Sequence, residues 1–199
     1  MKRKHYFGAI LLALALAPGT PATAQEPGEV AWPDYPTCLA NAMARFETDL
    51  ARAEGAGEGP DYDLLTRYDV QHCGILAIVA CDLSNDRVAC QDALSAEQHA
   101  LRQEVIAALP ESLTQADPFA SALYPQLFQL SSDQSAGPDC AGTEETMRAW
   151  CATSLASNDL AVAVLAHKLA RLSGASAPAV ELGWVGPGAP SPPTQRPAR

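Results

Sequence analysis

Hydrophobic positions recur through the middle of the chain at helical spacing and seldom alternate with polar ones. Leu39, Met43, Phe46 and Leu50 step by four, three and four, which is one face of a helix, so a first helix is expected from Thr37 to Ala53. Thr37 is its candidate N-cap and Gly55 its stop. GAGEGP at 55–60 reads as a loop. A second helix is expected over Tyr62–Asp82. It is apolar nearly all round from Ile75 to Val79, which predicts the central, most buried element. A third runs from Ala89 to Leu109 with Leu94, Leu101, Val105 and Leu109 facing inward. Residues 112–130 are apolar but carry Pro118 and Pro125, so a short, less regular element is expected there. After a loop at 131–142 the last helix runs from Thr143 to Leu172. Its face is Trp150, Leu155, Val162, Leu165, Leu169 and Leu172, and Ser157-Asn158-Asp159 is the point for a kink. The expected fold is all-α, a small disulfide-stapled helical bundle.

The two ends read differently. Lys2, Arg3 and Lys4 precede an apolar run from Tyr6 to Ala17, and Ala22-Thr23-Ala24 supplies small residues before a cleavage point ahead of Gln25. This is the pattern of a secretory signal peptide over residues 1–24. The run is too short for a membrane span of about 20 residues, and no other segment is expected to approach that length. From Gly174 onward six prolines (Pro178, Pro187, Pro190, Pro192, Pro193 and Pro197) exclude long helices and central strands. Residues 174–199 are therefore expected to form a disordered, Pro-rich tail, with Trp184 docking locally or meeting a partner. Residues 25–173 form the single domain, about 150 residues and enough for one core.

Charge narrows the partners. The chain carries a formal net charge of −10, and loss of Lys2, Arg3 and Lys4 takes it to −13. Nucleic acid and anionic lipid are excluded as electrostatic partners, and a basic protein is favoured. No feature selects an oligomeric state.

Export implies an oxidising compartment, periplasmic or extracellular. All six cysteines (Cys38, Cys73, Cys81, Cys90, Cys140 and Cys151) lie after the cleavage point. Their spacings contain no CxxC and no CxxCH, so neither a zinc site, a thioredoxin-like centre nor haem attachment is expected. A catalytic cysteine needs a positioned base. His72 directly precedes Cys73, and helix neighbours point about 100° apart. His99 and His167 fall in mid-helix, and Glu54, Glu58, Asp61 and Asp63 read as a solvated acidic stretch. No catalytic, cofactor-binding or metal residue is assigned. The cysteines are read as staples. On one straight helix Cys73 and Cys81 would lie about 12 Å apart, beyond the roughly 7 Å a disulfide spans. Cys81 and Cys90 flank the turn at Ser84-Asn85-Asp86 and are the first choice of pair. Cys38–Cys73 would then tie the first helix to the second, and Cys140–Cys151 is left by elimination.

The run Cys73-Gly74, Cys81, a polar turn, Cys90 and a following helix with Glu97 resembles the LprI-like lysozyme-inhibitor family of small exported proteins. Met147-Arg148-Ala149-Trp150 is similar to that family's Gln-Arg-Ala-Trp segment. HALRQE at 99–104 replaces its Trp-Asp and Leu-Asn pair, and Ser154 stands where its arginine is expected, so no inhibitory residue carries over. The resemblance implies a non-enzymatic protein that binds and blocks a lysozyme-like wall-degrading enzyme. The alternative is an envelope structural or interaction protein.

Overall fold

A computed structural model describes residues 34–57, 59–114, 116–133 and 140–188. The chain divides into Met1–Ala31 and Trp32–Arg199, and every described residue belongs to the second unit. The signal-peptide reading lies outside the described residues.

Six helices and one short 3-10 turn make up the described structure, and no strand occurs among the described residues. Helix α1 spans Tyr35–Gly55. It starts two residues earlier than expected because Asp34, not Thr37, caps it. The Asp34 carboxylate accepts from the Thr37 N–H at 2.8 Å, and Pro36 fits the first turn, where no N–H partner is needed. The second expected helix is broken. Asp61 caps a single 3-10 turn at Tyr62–Leu64, and α2 begins only at Tyr68 and ends at Asp82. Asp86 caps α3, Arg87–Ala108, whose Leu94, Val105 and the following Leu109 are buried as expected.

Residues 118–132 correct the expectation of an irregular element. Pro118 opens a regular helix α4, Pro118–Ser132, which Asp117 caps through the N–H groups of Phe119 and Ala120. Pro125 sits inside it on the exposed side, as does Ser121, whose carbonyl lacks the donor that residue 125 would usually supply. Ala120, Tyr124, Leu127 and Ser131 form the buried face of α4.

Helix α5, Glu145–Leu172, runs unbroken through Ser157-Asn158-Asp159 and is the central element. It packs on α2, α3 and α4. This overturns the expectation for α2: Ile75 is 58 % exposed, whereas nearly every position from Leu160 to Ala170 is buried. The buried surface of α5 is rich in Ala, so its neighbours can approach closely. Of its expected face, Leu169 is buried but Trp150 is exposed. By length and composition α5 could cross a membrane, a property the sequence pattern predicted for no segment. Here half of its most apolar window is covered by the bundle. Close approach explains Gly74 of α2. A Cβ there would lie 2.0 Å from the Ser157 hydroxyl oxygen of α5.

All three expected disulfides form. Cys38–Cys73, Cys81–Cys90 and Cys140–Cys151 have Cα separations of 5.6, 5.3 and 5.9 Å. The first ties α1 to α2, the second closes the α2–α3 hairpin, and the third folds the loop before α5 onto its first turns.

The segment 174–188 is not a solvated tail. The chain reverses after α5, makes a short helix α6, Ala179–Leu182, and returns along α1. A Cβ on Gly188 would meet the Ala44 Cβ at 2.7 Å, so the strap lies close against α1. Trp184 is 4 % exposed and meets the His167 ring edge-on at 4.9 Å. Residues 189–199 lie outside the described residues.

Candidate functional site

Two faces of the bundle differ from an ordinary solvated surface. The first is the outer side of α2. Tyr68, Ile75, Val79 and Leu83 follow at helical spacing and are all exposed, and His72 lies in the same row, its ring stacked on Tyr68 at 5.9 Å. The apolar surround of Ile75 that suggested burial instead supplies a covered inner face and an apolar outer one. Beside it runs the first half of α5. The Gln71 amide donates to the Asn158 side-chain oxygen at 3.1 Å, and Gly74 abuts Ser157. These contacts make α2 and α5 antiparallel neighbours. Continued at 1.5 Å per residue, the register sets Trp150 level with Val79 and Met147 level with Leu83. A cleft of about 340 Å³ opens between the two helices, with Tyr68, His72, Ile75 and Ser154 in its walls. Four of the ten exposed large hydrophobic side chains among the described residues form this row. Of the two segments that carry the family resemblance, 73–90 contributes Ile75, Val79 and Leu83 to it.

The second face flanks the C-terminal strap and is acidic. Glu97 and Glu104 of α3 stand at a groove of about 250 Å³ whose other walls include Pro36, Leu39, Leu101 and Trp184. Burial, and then the negative charge of Asp34, hold the Glu97 carboxyl above its ordinary range. Burial, and then Glu97, push the Tyr35 hydroxyl upward as well. An apolar floor with carboxylates suits the aliphatic stem and charged head of a lysine or arginine.

Three of the cations, Lys168, Arg171 and Arg102, are withdrawn from the surface, while Arg45, Arg52, Arg67, Arg87 and Arg148 stay exposed. Lys168 is 1 % exposed and donates to the Thr66 carbonyl at 3.0 Å and the Asp69 carboxylate at 2.7 Å, with its ammonium 5.3 Å from the Phe46 ring centre. Arg171 makes a two-pronged pair with Glu47 at 3.0 and 2.7 Å and also donates to the Ser176 carbonyl. These contacts lock α1, the approach to α2 and the strap onto the end of α5. Arg102 is buried on the carbonyls of Ser131 and Asp133. Nothing in the sequence marked these three cations as interior. The signal available was only their place within amphipathic helices.

The histidines stay apart. His72 is exposed on α2, His99 is exposed on α3, and His167 is fully buried on α5. Burial, followed by the nearby charges of Arg171 and Lys168, lowers His167 to about 4. No cysteine is free among the described residues, which removes a thiol nucleophile. No group of three or more metal-ligating side chains gathers among the described residues. Of the expected acidic stretch, Glu54 and Asp63 are exposed, Asp61 is half-buried as a cap, and Glu58 lies outside the described residues. Comparison with known proteins adds no relative: no family model, no curated protein and no solved structure matches the chain.

Proposed function

We propose that this is an exported, non-enzymatic binding protein, periplasmic or secreted, that docks a basic, lysozyme-like wall-degrading enzyme on the α2–α5 face and blocks it. The observation that carries the reading is the exposed row Tyr68, Ile75, Val79 and Leu83 along α2. Contiguous exposed apolar surface on a stapled domain marks an interaction site, and aromatic anchors supply most of the binding energy in such sites. Charge supports the choice of partner. The chain is strongly acidic. With Lys168, Arg171 and Arg102 engaged internally, the outward field favours a cationic protein. The three disulfides suit an oxidising compartment. The resemblance to the LprI-like inhibitors points the same way.

The alternative is an envelope interaction protein that uses the same face for a structural partner. Its version through Trp184 is weakened, because that side chain is buried in its own domain.

The test is a lysozyme turbidity assay with oxidised residues 25–199 at low and high salt, beside the double variant Ile75→Ser, Leu83→Ser. The expected result is inhibition that weakens with salt and about tenfold or more in the variant. Full enzyme activity at saturating protein, with animal-type and bacterial lysozymes alike, would sink the inhibitor reading. Inhibition unaffected by the double variant would sink the assigned face.

A further inference from the structure

The cleft between α2 and α5 holds polar groups for which an apolar docking row does not account. Its volume, about 340 Å³, lies at the lower end of the range of small-ligand sites. Tyr68, Gln71, His72 and Ile75 follow at helical spacing on the α2 wall, and Ser154, Ser157 and Asn158 do so on the α5 wall. Every residue from 68 to 78 and from 154 to 158 is described. No Asp, Glu, Lys or Arg lines the cleft among the described residues. A polar recess without fixed charge suits an uncharged ligand, because a charged one would lose water and find no counter-charge.

The polar groups are organised and open to solvent. Gln71 and Asn158 share one hydrogen bond, from the Gln71 side-chain N–H to the Asn158 oxygen, at 3.1 Å. It fixes the two amides against each other and leaves the Gln71 oxygen and the Asn158 NH2 group without a partner among the described residues. Asn158 is exposed and Gln71 half-buried, so a ligand can reach both. One acceptor and one donor therefore stand side by side before anything binds. Ser154, one turn before Asp159's neighbour Asn158, adds a hydroxyl on the same wall. Tyr68 is 71 % exposed, with its ring 15° from parallel to that of His72. The face of an aromatic ring attracts polarised C–H bonds.

We propose that this cleft binds an N-acetylated amino sugar. The pyranose ring lays its C–H face on Tyr68. The acetamido N–H donates to the Gln71 oxygen, and the oxygen of the neighbouring ring hydroxyl accepts from the Asn158 NH2 group. The acetyl methyl covers Ile75. Adjacent substituents of a pyranose lie close enough to meet two side chains that are themselves joined by a hydrogen bond. A plain hexose could still use the amides and the ring, but it brings no methyl for the apolar wall. The site does not depend on the inhibitor reading, since the chain binds the sugar with no enzyme present.

The experiment is an NMR titration of the oxidised protein with the methyl β-glycosides of N-acetylglucosamine and of glucose. The acetylated sugar is expected to saturate with a dissociation constant of about 5 mM or tighter, moving the amides of 68–75 and 154–158 and the side-chain NH2 signals of Gln71 and Asn158. The glucose glycoside should bind about fivefold more weakly, since it lacks the acetyl group. Asn158 is exposed, so Asn158→Ala should weaken the acetylated sugar about tenfold without lowering Tm. Tyr68→Phe should bind normally, and Tyr68→Ala about tenfold more weakly, because the ring and not its hydroxyl makes the contact. Equal affinity for the two glycosides, no saturable shift up to about 20 mM, or an Asn158→Ala protein that binds normally would each overturn the proposal. Failure of the titration would leave the lysozyme reading standing, and failure to inhibit a lysozyme would leave this site standing.

Discussion

The C-terminal half of α5 and the outer side of α2 reverse what their compositions suggest. The α5 half contains His167, Lys168 and Arg171, yet it is the interior of the molecule. The α2 stretch ILAIV contains no polar side chain, yet its outer row faces solvent. The difference lies in partners. Lys168 and Arg171 meet carboxylates, carbonyls and a ring that other elements bring to them, which offsets their burial. Ile75 and Leu83 meet no such element. One region converts polar groups into architecture, and the other leaves apolar groups available for recognition.

The comparison can be broken first at its staple. Replacing Cys38 and Cys73 together by alanine releases a loop closed over a sequence separation of 35. Chain-entropy reasoning puts the loss near 4 kcal/mol, measured by urea unfolding. A loss below about 1 kcal/mol would mean that interior packing holds α1 to α2 without the bridge. Lys168→Met should come next, at about 3 kcal/mol, because Asp69 is left without its cation in a mostly covered site. Wild-type stability in that variant would show that the interior is held by apolar packing alone.

His167 gives a pH signature to the same region. Its folded value of about 4 lies below its ordinary value, so the unfolded chain takes up the proton first as pH falls. The stability from keeping it neutral is complete above pH 6.5 and declines as pH falls toward about 4. The loss approaches about 2 to 3 kcal/mol at the acid end. His167→Gln should flatten that limb of a stability–pH profile. An unchanged slope would place the titration elsewhere.

Gly74→Ala sharpens the boundary between the two regions. The added methyl would collide with Ser157, for a loss of about 2 kcal/mol, and Ser157→Ala in the same chain should recover part of it. Additive losses in the double variant would mean that the two sites do not touch. The smallest effect belongs to the open face. Ile75→Ser with Leu83→Ser should change stability by less than about 0.5 kcal/mol while weakening partner binding. A large loss of stability there would show that the face is part of the core after all.

Much of the architecture was legible. The first helix, the α3 face and the end of α5 followed from spacing. Turn chemistry favoured Cys81–Cys90 and helix rise excluded Cys73–Cys81, but nothing in the sequence selected the other two pairs. Element boundaries were less accessible. Thr37 and Asp34 are both competent caps, and only the approach of the Asp34 carboxylate to the Thr37 N–H distinguishes them. Pro125 looked like a breaker because the sequence does not show that it falls on the exposed side of the helix. The α2–α5 face was hidden for a different reason. A row such as Tyr68, Ile75, Val79 and Leu83 reads as core unless one knows which side of the helix its neighbours occupy.

By itself the sequence determined the helical class, the acidic balance and an even set of cysteines suited to staples, because these depend on spacing, charge count and residue type, whereas the choice among the possible pairings came from the structure. The tertiary structure alone decided that α5 is the centre, that Trp184 packs inward and that α2 turns an apolar row outward. Burial is a property of what stands beside a side chain, and in a helical bundle that neighbour comes from a distant part of the chain.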